Sequence, residues 1–308
     1  MKLLITRHDK IGDFVTMLPV CKVLKEQTDH LIVMLVSKVN VDLAKELDFI
    51  DDVIEYTDDS DVLLETIRSC QFDVSISGYI DTTLGKVLFR SRIPKRIAPA
   101  TKIAQIFFNK RVKQRRSLVE KREFEYNLDL LKAFDESLIL DFERPLLQID
   151  HSVKNTLTND FIIFHPGFGG SSEGNLALDD YLKLAKKASE HVDVVFSFGP
   201  DDGDSKHYIE QKLDFQATVK DDFKTLMEFT KYIALSKLFV STSTGPMHLA
   251  GLTNTKTLSF FGAKLFASPN RWGTISDESS QNNFIVSADY SNDLYMKIEM
   301  KLLELINE

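Results

Sequence analysis

Cysteine is almost missing from this 308-residue chain, which has only Cys21 and Cys70. Two thiols cannot build a disulfide framework or a four-ligand zinc site, so the sequence predicts a reducing compartment. Eight prolines and 13 glycines are too few for a collagen-like or low-complexity chain. The longest apolar run, Leu31 to Val36, falls far short of the roughly 20 residues of a membrane span. After the opening Met-Lys-Leu-Leu-Ile-Thr, charge returns at Arg7, too early for a signal-peptide core. The expectation is a chain neither secreted nor inserted in a membrane. Basic residues are outnumbered 38 to 46, for a net charge of −8, which argues against nucleic acid as a partner. What remains is an ordinary globular balance, 43% hydrophobic and 27% charged, with length for about two domains of roughly 150 residues.

Charge is spread unevenly. From Arg90 to Arg122 there are twelve basic residues and one acid, Glu120, so the segment carries +11 and the rest −19. It reads either as a solvated helical face or as a surface for a polyanion such as a phosphorylated lipid, an anionic sugar or a membrane leaflet. Near an anionic leaflet each Lys or Arg contributes about 1 kcal/mol.

Short apolar runs alternate with helical patterns from the first residue. The patterning predicts strands at residues 2–6, 30–37, 52–56 and 72–77, with helices at 13–27, 40–47 and 62–68 between them. Runs such as Leu-Ile-Val-Met-Leu-Val are apolar at every position, as strands buried on both faces must be. The pattern weakens from 88 to 120, a helix is expected at 123–134, and 141–159 reads as a connection. Alternation then restarts, with strands at 161–165, 193–198, 238–241 and 257–261, and helices at 178–190, 223–235 and near Thr244. An amphipathic helix closes the chain. The expected architecture is α/β: two Rossmann-like, doubly wound domains facing a cleft. Residues 1–150 form the first and 151–290 the second, with the helix at about 290–308 packing back on the first.

Three loops after strands could carry chemistry, since ligands of open α/β sheets bind at strand carboxyl ends. Arg7-His8-Asp9-Lys10-Ile11-Gly12-Asp13 follows the first strand; Asp13 suits either a helix N-cap or a general base. His165-Pro166-Gly167-Phe168-Gly169-Gly170-Ser171-Ser172 is either a flexible loop or an anion nest. Ser243-Thr244-Gly245-Pro246-Met247-His248 describes a helix N-terminus, a ready phosphate site, with His248 either a packing residue or a ligand contact. G-x-G-x-x-G, Walker A and H-E-x-x-H are all missing, and the histidines do not fall at metal-ligand spacing.

Together these segments resemble the lipopolysaccharide heptosyltransferases (ADP-heptose type, glycosyltransferase family 9). The likeness rests on Ile11-Gly12-Asp13 with Pro19, Arg96-Ile97, Glu123-Phe-Glu-Tyr-Asn, His165-Pro166-Gly167, Phe260-Phe261-Gly262 and Arg271-Trp272-Gly273. Its most specific part is Thr244-Gly245-Pro246-Met247-His248-Leu249-Ala250. The resemblance implies a GT-B fold and an inverting, metal-independent transfer from an ADP-sugar, with no cofactor, to a lipid-linked or phosphorylated glycan. It makes Asp13 the base and assigns the donor to Gly167, Gly169, Gly170, Ser171, Ser172, Asp201, Ser243, Thr244, Gly245, Pro246, Met247 and His248. Lys10, Gly12, Arg90, Arg92, Arg115 and Arg116 are the acceptor candidates. A cytoplasmic enzyme, peripheral on the inner face of the membrane, is implied. Two departures stand out: Ser243 replaces the family's aspartate before Thr-Gly-Pro, and Gly174-Asn175-Leu176 replaces its Lys-x-Trp. Another GT-B sugar-nucleotide enzyme and a non-catalytic sugar-nucleotide binder are the alternatives.

Overall fold

A computed structural model of the chain describes residues 1–150, 160–167 and 174–308. It divides into two units, Met1–Leu146 and Leu147–Glu308. The first contains strands β1 (Lys2–Arg7), β2 (Leu31–Val36), β3 (Asp52–Glu55), β4 (Val74–Ser77), β5 (Lys95–Pro99) and β6 (Lys110–Val112). Its helices are α1 (Ile11–Gln27), α2 (Val41–Lys45), α3 (Ser60–Cys70), α4 (Thr82–Arg90) and α5 (Glu123–Leu128). The second contains β7 (Phe161–His165), β8 (Asp193–Ser197), β9 (Thr218–Lys220), β10 (Leu238–Thr242), β11 (Thr257–Phe261) and β12 (Gln281–Ile285). Its helices are α6 (Leu178–Ala188), α7 (Gly203–Lys212), α8 (Leu226–Leu235), α9 (Gly245–Leu252), α10 (Pro269–Trp272) and α11 (Asn292–Asn307).

Each unit has one six-stranded parallel sheet, ordered β3-β2-β1-β4-β5-β6 and β12-β11-β10-β7-β8-β9. Read from the opposite edge, the second order is the first: in both, the opening strand pairs with the second strand on one side and the fourth on the other. β1 is flanked by β2 (Lys2↔Leu31) and β4 (Leu3↔Val74), and β7 by β8 (Phe161↔Asp193) and β10 (Ile162↔Leu238). Winding reverses at β1/β4 and at β7/β10, which leaves a crevice beyond the carboxyl ends of those strands.

Burial explains the apolar strands. Leu3, Leu4, Ile5 and Ile32 through Val36 are sealed from water, as are Ile162, Ile163, Phe164, Leu238, Phe239 and Val240. Each such side chain contributes about 1.5–3 kcal/mol on burial. Helix α1 is buried nearly all round, because α5 covers the side that the sheet does not. Asn127 of α5 clamps the pair, its amide donating to the Thr16 carbonyl (3.0 Å) and hydroxyl (3.2 Å).

Several expectations need correction. Asp13 is no N-cap: α1 starts at Ile11, Lys10 occupies the cap, and Asp13 is the third helical residue. The segment from 88 to 120 is ordered, holding the end of α4, β5, a 3-10 turn at Ile103–Phe107 and β6. The helix expected at 123–134 is α5 followed by a 3-10 turn, Asp129–Ala133. The closing helix is part of the second unit. Tyr295, Ile298, Leu302, Leu305 and Ile306 of α11 belong to the second unit's core, and Lys237 holds the Ile306 carbonyl at 2.6 Å. Its apolar stripe is consumed there.

Replacing Asn127 with leucine would remove both bonds to Thr16 and the acceptor that Arg116 uses in this buried site. Such a loss costs about 1–3 kcal/mol, so N127L should melt several degrees lower in calorimetry; an unchanged transition would remove the clamp.

Candidate active site

In the first unit the carboxyl edge of the sheet is organised by Arg7, the last residue of β1. Its side chain is 3% exposed and its guanidinium is met by three carboxylates. Nε donates to Asp9 at 2.8 Å, Nη2 to Asp13 Oδ1, and Nη1 faces Glu123 at 3.5 Å. Burial works against the Arg7 charge, but Asp9, Asp13 and Glu123 outweigh it and hold the guanidinium above its ordinary value. Burial pushes the Asp9 carboxyl up. Glu123 also takes a bond from Arg116, which reaches Gln114 (2.9 Å) and Asn127 (3.3 Å). Asp13 is thus anchored through one oxygen, and among the described residues Oδ2 has no hydrogen-bond partner. That geometry suits a carboxylate held in a fixed direction with one oxygen left to accept a proton.

Around this cluster lie residues that sequence reasoning missed. His8 Nε2 and Asp81 Oδ2 meet at 2.9 Å, tying the loop after β1 to the loop after β4. The His8 ring stacks on Tyr56 (4.3 Å) and meets Tyr79 edge-on (5.5 Å), while the Lys102 ammonium sits 4.1 Å over the Tyr79 ring. The available signal was position: His8, Tyr56, Tyr79 and Lys102 all follow strands.

The acceptor candidates divide. Lys10 is exposed at the α1 cap, Gly12 is buried in the first turn, and Arg115 and Arg116 follow β6, all toward the carboxyl edge. Arg90 and Arg92 lie between the end of α4 and the start of β5, at the amino edge, so the sheet's length separates them from Asp13. They do not join the Asp13 cluster.

In the second unit, Thr244 caps α9 in an extended conformation without a side-chain cap bond. Gly245 and Met247 therefore present amides before the first intrahelical bond, and Pro246 has none to satisfy. Ser243 is partly exposed, its amide fixed on the Phe260 carbonyl at 2.9 Å. His248, one turn in, is 3% exposed, and burial pushes its imidazole down to about 4, so it is neutral at ordinary pH. Its ring meets Trp272 edge-on at 6.3 Å. Beside that indole Arg271 is buried, its guanidinium 3.9 Å over Phe266 and 5.1 Å from the Trp272 centroid.

At the end of β7, His165 is buried, with Nδ1 at 3.0 Å from the Ser197 hydroxyl and Nε2 at 3.7 Å from Asp202; burial lowers its pKa. Asp202 accepts from the Gly199 amide at 2.8 Å, whereas Asp201, the sequence candidate, is exposed. A Cβ on Gly167 would run into the Asp202 carboxylate, so any other residue there must displace that side chain. Gly169, Gly170, Ser171 and Ser172 lie outside the described residues.

Gly174 explains one departure from the family pattern. A Cβ there would overlap the backbone of Phe261 and Gly262, and the Thr242 hydroxyl holds the Gly174 carbonyl. No lysine fits unless β11 shifts. Overpacking of this kind costs about 1–3 kcal/mol, so G174K should lower the melting temperature and leave ADP affinity no better, as calorimetry would measure.

Comparison with known proteins bears on the whole chain. The sequence model of glycosyltransferase family 9 (heptosyltransferase) matches residues 65–294. A candidate glycosyltransferase of Haemophilus influenzae is 32% identical, with the alignment spanning 96% of this chain and 92% of that protein. Among solved structures, E. coli ADP-heptose LPS heptosyltransferase II superposes with a TM-score of 0.82 at 18% identity, over 100% of this chain and 99% of that one. E. coli heptosyltransferase WaaC with ADP superposes at 0.73 and 14% identity, over 99% and 100%. Two Rossmann-like parallel-sheet units of GT-B type are the shared fold. With three quarters of its length under the family model and a relative aligned nearly end to end, the chain belongs to glycosyltransferase family 9, the heptosyltransferase family, and is a glycosyltransferase.

Proposed function

We propose that the chain transfers a sugar, heptose by family, from an ADP-sugar to a lipid-linked or phosphorylated glycan of the lipopolysaccharide-core type. The transfer inverts the anomeric carbon and needs no metal or other cofactor. We place it on the cytoplasmic side of the inner membrane. The observation that carries this reading is Asp13: a carboxylate held on buried Arg7 by one oxygen, with the other unengaged, at the carboxyl edge of the sheet.

The acceptor hydroxyl gives its proton to Asp13 as its oxygen bonds to the anomeric carbon. The bond from that carbon to the diphosphate oxygen breaks on the opposite face, and its electron pair leaves with ADP. Arg7 keeps the base aimed. The faces of Tyr56 and Tyr79 offer surface for an acceptor sugar ring, and Lys102 and Lys10 offer charge for its anionic groups.

Negative charge developing on the departing diphosphate meets the amides of Gly245 and Met247 and the positive end of the α9 dipole, worth up to about 2 kcal/mol. A neutral His248 can still donate one N–H. With serine at 243, that position brings no carboxylate to the helix end to repel the diphosphate. Arg271, buried beside the Trp272 ring that meets His248, supplies the cation that Gly174 cannot carry. A nucleotide-sugar binder without transfer activity is the second reading, favoured by Gly174; donor binding without turnover would distinguish it.

Positioned proton transfer contributes about 10²–10⁴-fold, so D13N should lose roughly that much kcat while ADP affinity by calorimetry stays within error. A near-normal rate would take Asp13 out of the role. Removing a charged donor from a phosphate site costs roughly ten- to a hundredfold in affinity. R271Q should therefore weaken ADP binding by about that factor at unchanged fold, and unaltered affinity would reassign the cation.

A further inference from the structure

The cations left unexplained by the Asp13 cluster belong to a second surface. From Thr82 to Val119 the chain contains eleven basic residues and no acid. Within that stretch the β5–β6 crossover forms the 3-10 turn Ile103–Phe107, in which residues three apart eclipse one another. Ile103 and Ile106 therefore project on one side, and they are 81% and 66% exposed. Ala104 and Phe108 turn inward, and Phe107 packs on α4 over Gly85, its ring 6.3 Å from that of Phe89. Phe89, at the last turn of α4, is itself 55% exposed and carries the Arg96 guanidinium 5.3 Å over its ring. Lys86, Arg90, Arg92, Lys102 and Lys110 are all exposed around these side chains. Asp61 of α3, also exposed, reaches Arg90 at 3.6 Å.

Single exposed apolar residues are ordinary; three large ones on adjoining elements within an acid-free stretch are not. We propose that the outer face of α4 and the β5–β6 crossover dock on an anionic bilayer leaflet. Ile103, Ile106 and Phe89 enter the interfacial layer while the surrounding Lys and Arg side chains reach lipid phosphates. Stable peripheral attachment takes two signals, an apolar insertion and a basic patch, and this face has both. A nucleic acid would use the cations but has no use for two bare isoleucines. The inference extends the lipid-linked acceptor reading above. Lys102, at the carboxyl end of β5, joins this face to the sheet edge that carries Asp13, so docking would hold the base near the bilayer surface.

The test is co-sedimentation of the full chain with phosphatidylcholine vesicles, with and without phosphatidylglycerol. Binding is expected only with phosphatidylglycerol and should fall as salt rises. The I103S/I106S pair should weaken it by about tenfold or more, and R90Q/R92Q by several-fold, each at unchanged melting temperature and ADP affinity. Failure to bind phosphatidylglycerol vesicles overturns the proposal, as does normal binding by the serine pair. Retention on single-stranded RNA in place of vesicles, indifferent to that pair, would assign the face to nucleic acid and also overturn it. Vesicle binding without sugar transfer would keep this surface and defeat the enzymatic reading; transfer to a soluble acceptor without vesicle binding would do the reverse.

Discussion

A guanidinium almost sealed from water is costly unless anions surround it, and in the first unit that requirement arranges much else. Arg7 ends the central strand, so its partners must come from wherever the chain returns to the carboxyl edge. Asp9 and Asp13 come from the adjacent turn and helix start, Glu123 from α5 far along the chain. Glu123 draws in Arg116, and Arg116 draws in Asn127, which closes the circuit on Thr16, one turn beyond Asp13. The carboxylate assigned to chemistry is therefore held by a network that also fastens α5 over α1. Its direction is set before any substrate arrives, the condition under which a base is most effective.

The second unit reaches a comparable edge by other means. It repeats the strand order, yet the end of β7 carries a neutral His165 beside Asp202, and its approach to β10 and β11 relies on glycine. Gly167 and Gly174 bring backbone against a carboxylate and against another backbone. On the proposed reading, close main-chain approach makes amides the principal recognition groups there. The proposed transfer would use this division, since a diphosphate is served by N–H groups while an acceptor hydroxyl needs a proton sink.

The parallel-sheet architecture was legible because strands buried on both faces announce themselves: β2 is apolar throughout, β7 everywhere but His165, and β1 and β10 each hold an unbroken run of three apolar residues. Elements without that contrast were not. β6 and β9 have three residues each, β12 is a polar edge strand, and α7 buries only Ile209, so none shows a period. In α4 the stripe Leu84, Val87 and Leu88 was masked by the basic run. Asp13 was recognisable from its place after a strand, and Thr244–His248 from its helix-start composition. The support of Asp13 by Arg7 and Glu123 was hidden because it joins residues distant in sequence. The split of the basic segment was hidden because position along a chain does not tell which end of a sheet a residue occupies.

Helix α11 has a consequence for how the molecule is made. The second unit's interior is completed by Ile298, Leu302 and Leu305 of α11, and Glu308 just beyond that helix pairs with Lys256 at 2.5 Å. During synthesis the amino-terminal unit has every residue it needs while its successor is still emerging. The second sheet must wait, one face uncovered, until α11 has been made.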